Sequence, residues 1–328
     1  MGYSNWSDTA YKSRQNFRQK TNQSAFTYDQ QVRATGKVAA HPQMNPAGVV
    51  RESRDSDSHP DSVAIGVLFD VTGSMGVVPR VLQTKLGSLM RLLVQKGYLA
   101  HPQVLFGAVG DAYTDRVPLQ IGQFESGLEM DDDLGKIYIE GGGGGQVHES
   151  YELGIYFFAR HTAIDCYDKR GHKGYLFTIG DEMPYDVVRK QQVADVLGDK
   201  LRQDIATDQI VAEVQERYEY FHIIPTNTYH GQRPEVQARW RELLGERVLL
   251  LDDETAVSET IALAIGLCEG TLDSLYRGVD DLVAAGHTAT ATRSATTAIA
   301  PYAKTRGSLV PVAAGVLPVN GMGEDGRL

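Results

Sequence analysis

The chain has 328 residues, of which 42% are hydrophobic and 23% charged, so it can bury a substantial core and is not wholly disordered. Forty-two acidic against 32 basic residues give a net charge of −10, which argues against a general nucleic-acid binder. Two cysteines, Cys166 and Cys268, exclude a disulfide framework and suit a reducing compartment.

Residues 1–60 are polar and rich in Gln, Ser, Arg and Asn, yet aromatics recur at Tyr3, Trp6, Tyr11, Phe17, Phe26 and Tyr28. They carry eight Lys or Arg against five Asp or Glu. The expectation is an extended arm that packs on the acidic body or on a neighbour, apart from any functional site. The first residues have no apolar core of a secretory signal, and Trp6 stands where a myristoylation motif needs Ser or Thr. No apolar run reaches the ~18–20 residues of a bilayer crossing. The expectation is a soluble, cytoplasmic protein that engages no membrane and no nucleic acid.

From residue 61 the texture changes. Residues 63–69, VAIGVLF, are a continuous apolar run, as in a strand buried on both faces. Residues 81–97 carry Leu82, Leu86, Leu89, Leu92 and Leu93 at helical spacing, with Gly97 as a stop. Residues 104–109 and 117–124 predict two strands joined by a turn. An acidic stretch, 125–140, leads through Gly141 to Gly145 into a helix over 149–162. Then follow a strand over 174–180, a helix over 185–198, a strand over 218–226, a helix over 233–245 and a strand over 247–253. A helix or helix pair over 254–286 closes the domain, which spans residues 61–288. Residues 289–328, rich in Ala, Thr, Gly and Pro, read as a flexible tail. Alternating strands and helices predict a three-layer α/β/α sandwich, Rossmann-like, around a mostly parallel sheet of about six strands.

The chemistry concentrates where two strands end. The first closes on Asp70-Val71-Thr72-Gly73-Ser74, an acid and two hydroxyls on alternate residues, able to aim three oxygens at one point. Hard oxygens of low total charge suit Mg²⁺ or Mn²⁺. The strand over 174–180 leads into Asp181 and Glu182, placing a second carboxylate, Asp181, at the same edge. Between them the glycine run permits close backbone approach and positive φ.

An Asp-x-Thr-x-Ser strand end, a glycine loop and a later strand-end Asp resemble the von Willebrand factor A domain, over about residues 62–270. In that family these segments form a metal-ion-dependent adhesion site. The resemblance implies Asp70, Thr72, Ser74 and Asp181 as metal-site residues. Gln146 stands nearest the second-loop position, and Glu149 matches the acid of the branch with GGGD-x-P-E loops. It implies one bound Mg²⁺ or Mn²⁺ with a position left open for a carboxylate from another protein. Low protein charge would keep the ion eager for that acid. Intracellular bacterial members act beside an AAA+ ATPase or within a larger assembly, so a protein-interaction module without hydrolytic activity is expected.

Plainer readings stand beside these. Asp70 can precede a helix capped by Thr72 or Ser74, Asp181 can be a turn residue, and Glu149 a first-turn acid. Asp111 and Asp115 read as solvated turn acids, Asp131 to Asp133 as a solvated helix face, and Cys166 as a packed thiol. His148 and His161 lack metal-site spacing. A phosphohydrolase of the haloacid dehalogenase type would use Asp70 as nucleophile, but needs an acid where Thr72 stands. No P-loop motif occurs.

Overall fold

The apolar run that begins at Val63 forms a central strand of a six-stranded sheet. The computed structural model describes residues 2–142 and 147–307, without the side chain of Ser74. The strands are β1 (Val63–Asp70), β2 (Pro102–Val109), β3 (Leu119–Ile121), β4 (Gly174–Ile179), β5 (Tyr218–Pro225) and β6 (Val248–Leu251). Their spatial order is β6-β5-β4-β1-β2-β3, parallel throughout except for β3, which runs antiparallel on the β2 edge. Every residue of β1, β2 and β4 is buried, which is why these strands lack alternation in the sequence.

Among the described residues nine longer helices surround the sheet: α1 (Asp8–Thr21), α2 (Thr27–Thr35), α3 (Val78–Met90), α4 (Tyr151–Arg160), α5 (Thr207–Arg217), α6 (Pro234–Leu244), α7 (Val257–Glu269), α8 (Leu275–Ala284) and α9 (Ala289–Thr305). Right-handed crossovers leave the centre in opposite directions from β1 and from β4, so their helices fall on opposite faces. On one side α7 packs against α3 and α9. On the other α4 packs against α5, and Tyr151 of α4 meets Trp240 of α6 edge-on at 5.3 Å. The result is the expected three-layer α/β/α sandwich. Helix α4 lies close on β1 because Gly66 faces it: an added Cβ there would stand 2.1 Å from the Phe158 ring.

Two expectations are corrected. Residues 289–305 belong to the packed structure as α9, not to a flexible tail. Ala291, Ala295, Ala298, Ile299 and Tyr302 are buried, and the Tyr302 ring meets Phe221 edge-on at 5.0 Å. Small side chains let this helix approach the sheet closely. Residues beyond 307 lie outside the described part of the chain.

The N-terminal segment is helical rather than extended. Ser7 caps α1 by accepting from the Ala10 amide, and Tyr11 is buried against Gly87 of α3. Phe26 and Val32 are also buried, whereas Tyr3 and Phe17 are exposed. The segment packs on the chain's own body, anchored by Asp131. That carboxylate, expected on a solvated face, is fully buried. It accepts from Arg18 Nη1 and Nη2 at 2.8 Å each and from Gln83 Nε2 at 2.9 Å.

Smaller differences concern boundaries. The helix expected over 185–198 starts at Lys190, and 254–286 is a helix pair. Helix α5 had no counterpart in the sequence reading. No helix among the described residues is long and apolar enough to cross a membrane.

Candidate metal centre

The order of the sheet reverses between β1 and β4, and the groove beyond their carboxyl ends is where open α/β sheets hold ligands. Asp70 is the last residue of β1 and is fully buried. Its Oδ1 accepts from the Thr72 amide at 2.6 Å and from Thr72 Oγ1 at 2.7 Å. Tyr151 directs its hydroxyl at Oδ2 from 3.5 Å. The turn is tied to the glycine loop, since Gly73 donates to the Gly142 carbonyl at 2.7 Å and Gly141 to that of Val71 at 3.1 Å.

Two further carboxylates reach Asp70. A short parallel ladder pairs His148 with Met183 and Glu149 with Pro184, drawing the start of α4 to the segment after β4. Asp70, Glu149 and Glu182 each present an oxygen, and these oxygens lie within 4.8 Å of one another. Glu149 Oε2 and Glu182 Oε2 are buried with no hydrogen-bond partner. Among the described residues no Lys or Arg pairs with any of the three. Gly180 permits this crowding: an added Cβ would lie 1.7 Å from the Tyr151 hydroxyl.

Burial raises the pKa of all three groups; the Asp70 charge raises those of Glu149 and Glu182 further, and Asp181 adds to the rise at Asp70 and Glu182. For Asp70 the two Thr72 hydrogen bonds oppose that rise. Glu149 is the most strongly affected, with Asp70 and Glu182 as its charged neighbours. These shifts favour the protonated carboxyls over the charged ones, and a cation would compete with those protons. Carboxylate oxygens drawn together in this way could hold a hard divalent ion.

The expected residues divide as follows. Asp70 and Glu149 meet in the three-carboxylate group, and Thr72 supports Asp70. Asp181 is buried and acts on Asp70 and Glu182 through its charge, but it is not one of the three. The Ser74 side chain and Gln146 lie outside the described structure. Glu182 carries no local signal beyond following Asp181 at a strand end. It makes the site more negative than the resemblance implies, so an ion there would be held more firmly and draw an outside acid less strongly.

Asp111, expected in solvent, is buried; it accepts from the Tyr113 amide at 3.0 Å and the Tyr185 hydroxyl at 3.1 Å. His148 stacks on Tyr185, and His161 bonds to Asp199 and the Val49 carbonyl; neither belongs to the group. Cys166 is a buried free thiol.

No family model matches the chain, and no curated protein matches it. Solved structures do. The pilus adhesin SpaC from Lactobacillus rhamnosus GG aligns with 68% of this chain and 31% of its own, at 11% identity and a TM-score of 0.43. Proximal thread matrix protein 1 from the mussel byssus aligns with 62% of this chain and 47% of its own, at 10% identity and a TM-score of 0.41. The chain thus spans about a third of the adhesin and under half of the byssus protein.

Proposed function

We propose that this protein is a metal-dependent protein-interaction module of the von Willebrand factor A type. In this reading Asp70, Glu149 and Glu182 hold one Mg²⁺ or Mn²⁺, with Thr72, Ser74 and Asp181 around it. A coordination position remains for a carboxylate of a partner protein. The observation that carries the reading is the convergence of three carboxylates, Asp70 and Glu149 buried and Glu182 partly buried, with no Lys or Arg paired to them among the described residues, at the switch point of the sheet. The setting we infer is cytoplasmic and bacterial, within a multiprotein assembly or beside an AAA+ ATPase. The test is titration of the purified full chain with each ion by calorimetry, and of partner capture with and without chelator. One ion should bind with micromolar to millimolar affinity, and Asp70→Ala should abolish it with the fold intact. A chain that binds no divalent ion at millimolar concentration overturns the reading.

The third carboxylate favours one alternative, a Mg²⁺-dependent phosphohydrolase with Asp70 as nucleophile. Against it, Thr72 occupies the place of the general acid and already donates to Asp70. Mg²⁺-dependent phosphate release from simple phosphoesters, lost in Asp70→Asn, would establish the alternative.

A further inference from the structure

Helices α1, α2 and α3 enclose a groove of about 810 Å³ that shares no residue with the carboxylate centre. Most ligand pockets are lined by apolar side chains, whereas carboxamides and arginines dominate this one. Gln19, Asn22, Gln23 and Gln30 make no side-chain hydrogen bond among the described residues. Arg80 likewise has no ion pair or side-chain hydrogen bond among them; its guanidinium lies 5.8 Å from the centre of the Phe26 ring. That ring is 2% exposed, so it supports the arginine from below as part of the core. The other arginines of the groove are engaged, Arg18 with Asp131 and Arg33 with Asp29.

The walls are tied to one another by the chain's own bonds. The Tyr11 hydroxyl of α1 donates to the Gln83 carbonyl of α3. One turn later Gln15 Nε2 donates to the Thr84 carbonyl at 3.1 Å. Asp131 accepts from Arg18 of α1 and Gln83 of α3 together, and Asp29 of α2 accepts from the Ile139 amide. Groups that would meet a ligand therefore stand on helices whose positions are already set.

A carboxamide offers N–H donors and a carbonyl acceptor, the complement of a hydroxyl, which also donates and accepts. A bare anion would be met by donors alone. Arg80 adds a planar fork that matches two oxygens of a phosphate or a carboxylate. In a chain of net charge −10, an arginine without a carboxylate partner inside a polar groove is a local reversal of sign. We propose that the groove binds a small molecule rich in hydroxyls and carrying one anionic group, the chemistry shared by sugar phosphates and sugar acids. Arg80 takes the anion, and the carboxamides of Gln19, Asn22, Gln23 and Gln30 take the hydroxyls. The groove and the carboxylate centre stand or fall separately.

The test is calorimetry on the full chain with glucose 6-phosphate, glucuronate, glucose and inorganic phosphate as probes. One site should bind the sugar phosphate or glucuronate with a dissociation constant below about 1 mM, at least about tenfold more tightly than glucose or inorganic phosphate. The tighter of the two anions tells a phosphate from a carboxylate. Arg80→Gln should weaken that binding about tenfold or more and leave the melting temperature in place. Arg293→Gln, which removes an exposed charge from α9, should leave binding unchanged. Hydrogen exchange with the probe bound should slow at residues 15–33 and 80–84. No binding of either anion at about 10 mM overturns the proposal. So does equal binding by Arg80→Gln, or inorganic phosphate binding as tightly as the sugar phosphate.

Discussion

Arg33 of α2 donates from Nη2 to the carbonyl oxygen of Ile139 at 2.6 Å, two residues ahead of the glycine run. Asp29 Oδ1 accepts from the Ile139 amide at 3.2 Å, and Arg33 Nε donates to Asp29 Oδ2 at 2.9 Å. The N-terminal segment thus grips both backbone groups of one residue. From there the Gly141–Val71 and Gly142–Gly73 hydrogen bonds continue to the Asp70 turn. The segment expected to act apart from the site is joined to it through the backbone.

Arg33→Ala should release the Ile139 carbonyl and loosen the loop. Arg33 is half exposed, so the stability cost is about 1 kcal/mol, a shift of a few degrees in Tm. Hydrogen exchange should quicken at residues 137–142 and stay slow in β1 and β4. Unchanged exchange in 137–142 would show that the grip does not hold the loop.

Asp131→Ala should detach α1. It strips Arg18 and Gln83 of a buried acceptor, and breaking such a pair costs about 3 kcal/mol. Trypsin should then remove residues 1–40 from the folded chain well before it attacks the sheet. Equal resistance in the variant and the unaltered chain would mean that Tyr11 and Phe26 suffice to hold the segment.

The carboxylates should make metal binding and stability respond to pH in opposite directions. Their folded pKa values are raised, so the folded chain keeps protons that the unfolded chain releases. That contribution favours the metal-free fold at low pH and is lost as pH climbs from about 4.5 through the folded values, about 7 for Asp70, about 8 for Glu182 and about 11 for Glu149. A metal ion must displace the same protons, so its affinity rises with pH. Melting curves at pH 5, 7 and 9, with and without Mn²⁺, should show a metal-induced rise in Tm that grows with pH. A rise independent of pH would rule out a protonated metal-free set.

Gly180→Ala should be destabilising by about 1–3 kcal/mol, because its methyl group meets the Tyr151 hydroxyl. Tyr151→Phe in the same chain should recover part of that loss, since it removes the nearest atom. Additive losses in the double variant, measured by chemical denaturation, would place the strain elsewhere.

The sheet was legible because β1, β2 and β4 are built mainly of consecutive apolar residues, and Asp70 because it ends such a run. Glu149 was legible as an acid after the glycines, but its meeting with Glu182 depends on the two-residue ladder between His148–Glu149 and Met183–Pro184. Such short long-range pairing leaves no local pattern. Helix α9 was hidden by its alanines and threonines, although buried Ala291, Ala295, Ala298 and Tyr302 follow helical spacing. In α1 only Tyr11 is buried, so its helix rests on tertiary contacts rather than on an apolar stripe.

Phe69 and Ile179 face each other across the β1–β4 ladder, and Asp70 and Glu182 follow within three residues. Neighbouring strands stand about 4.8 Å apart whatever their side chains. The gauge of the centre is therefore cut into the backbone, and the surrounding loops can diverge without resetting it. An ion seated there would rivet together the two halves of a sheet that the chain winds outward in opposite directions. Unzipping that seam and releasing the ion would be a single event.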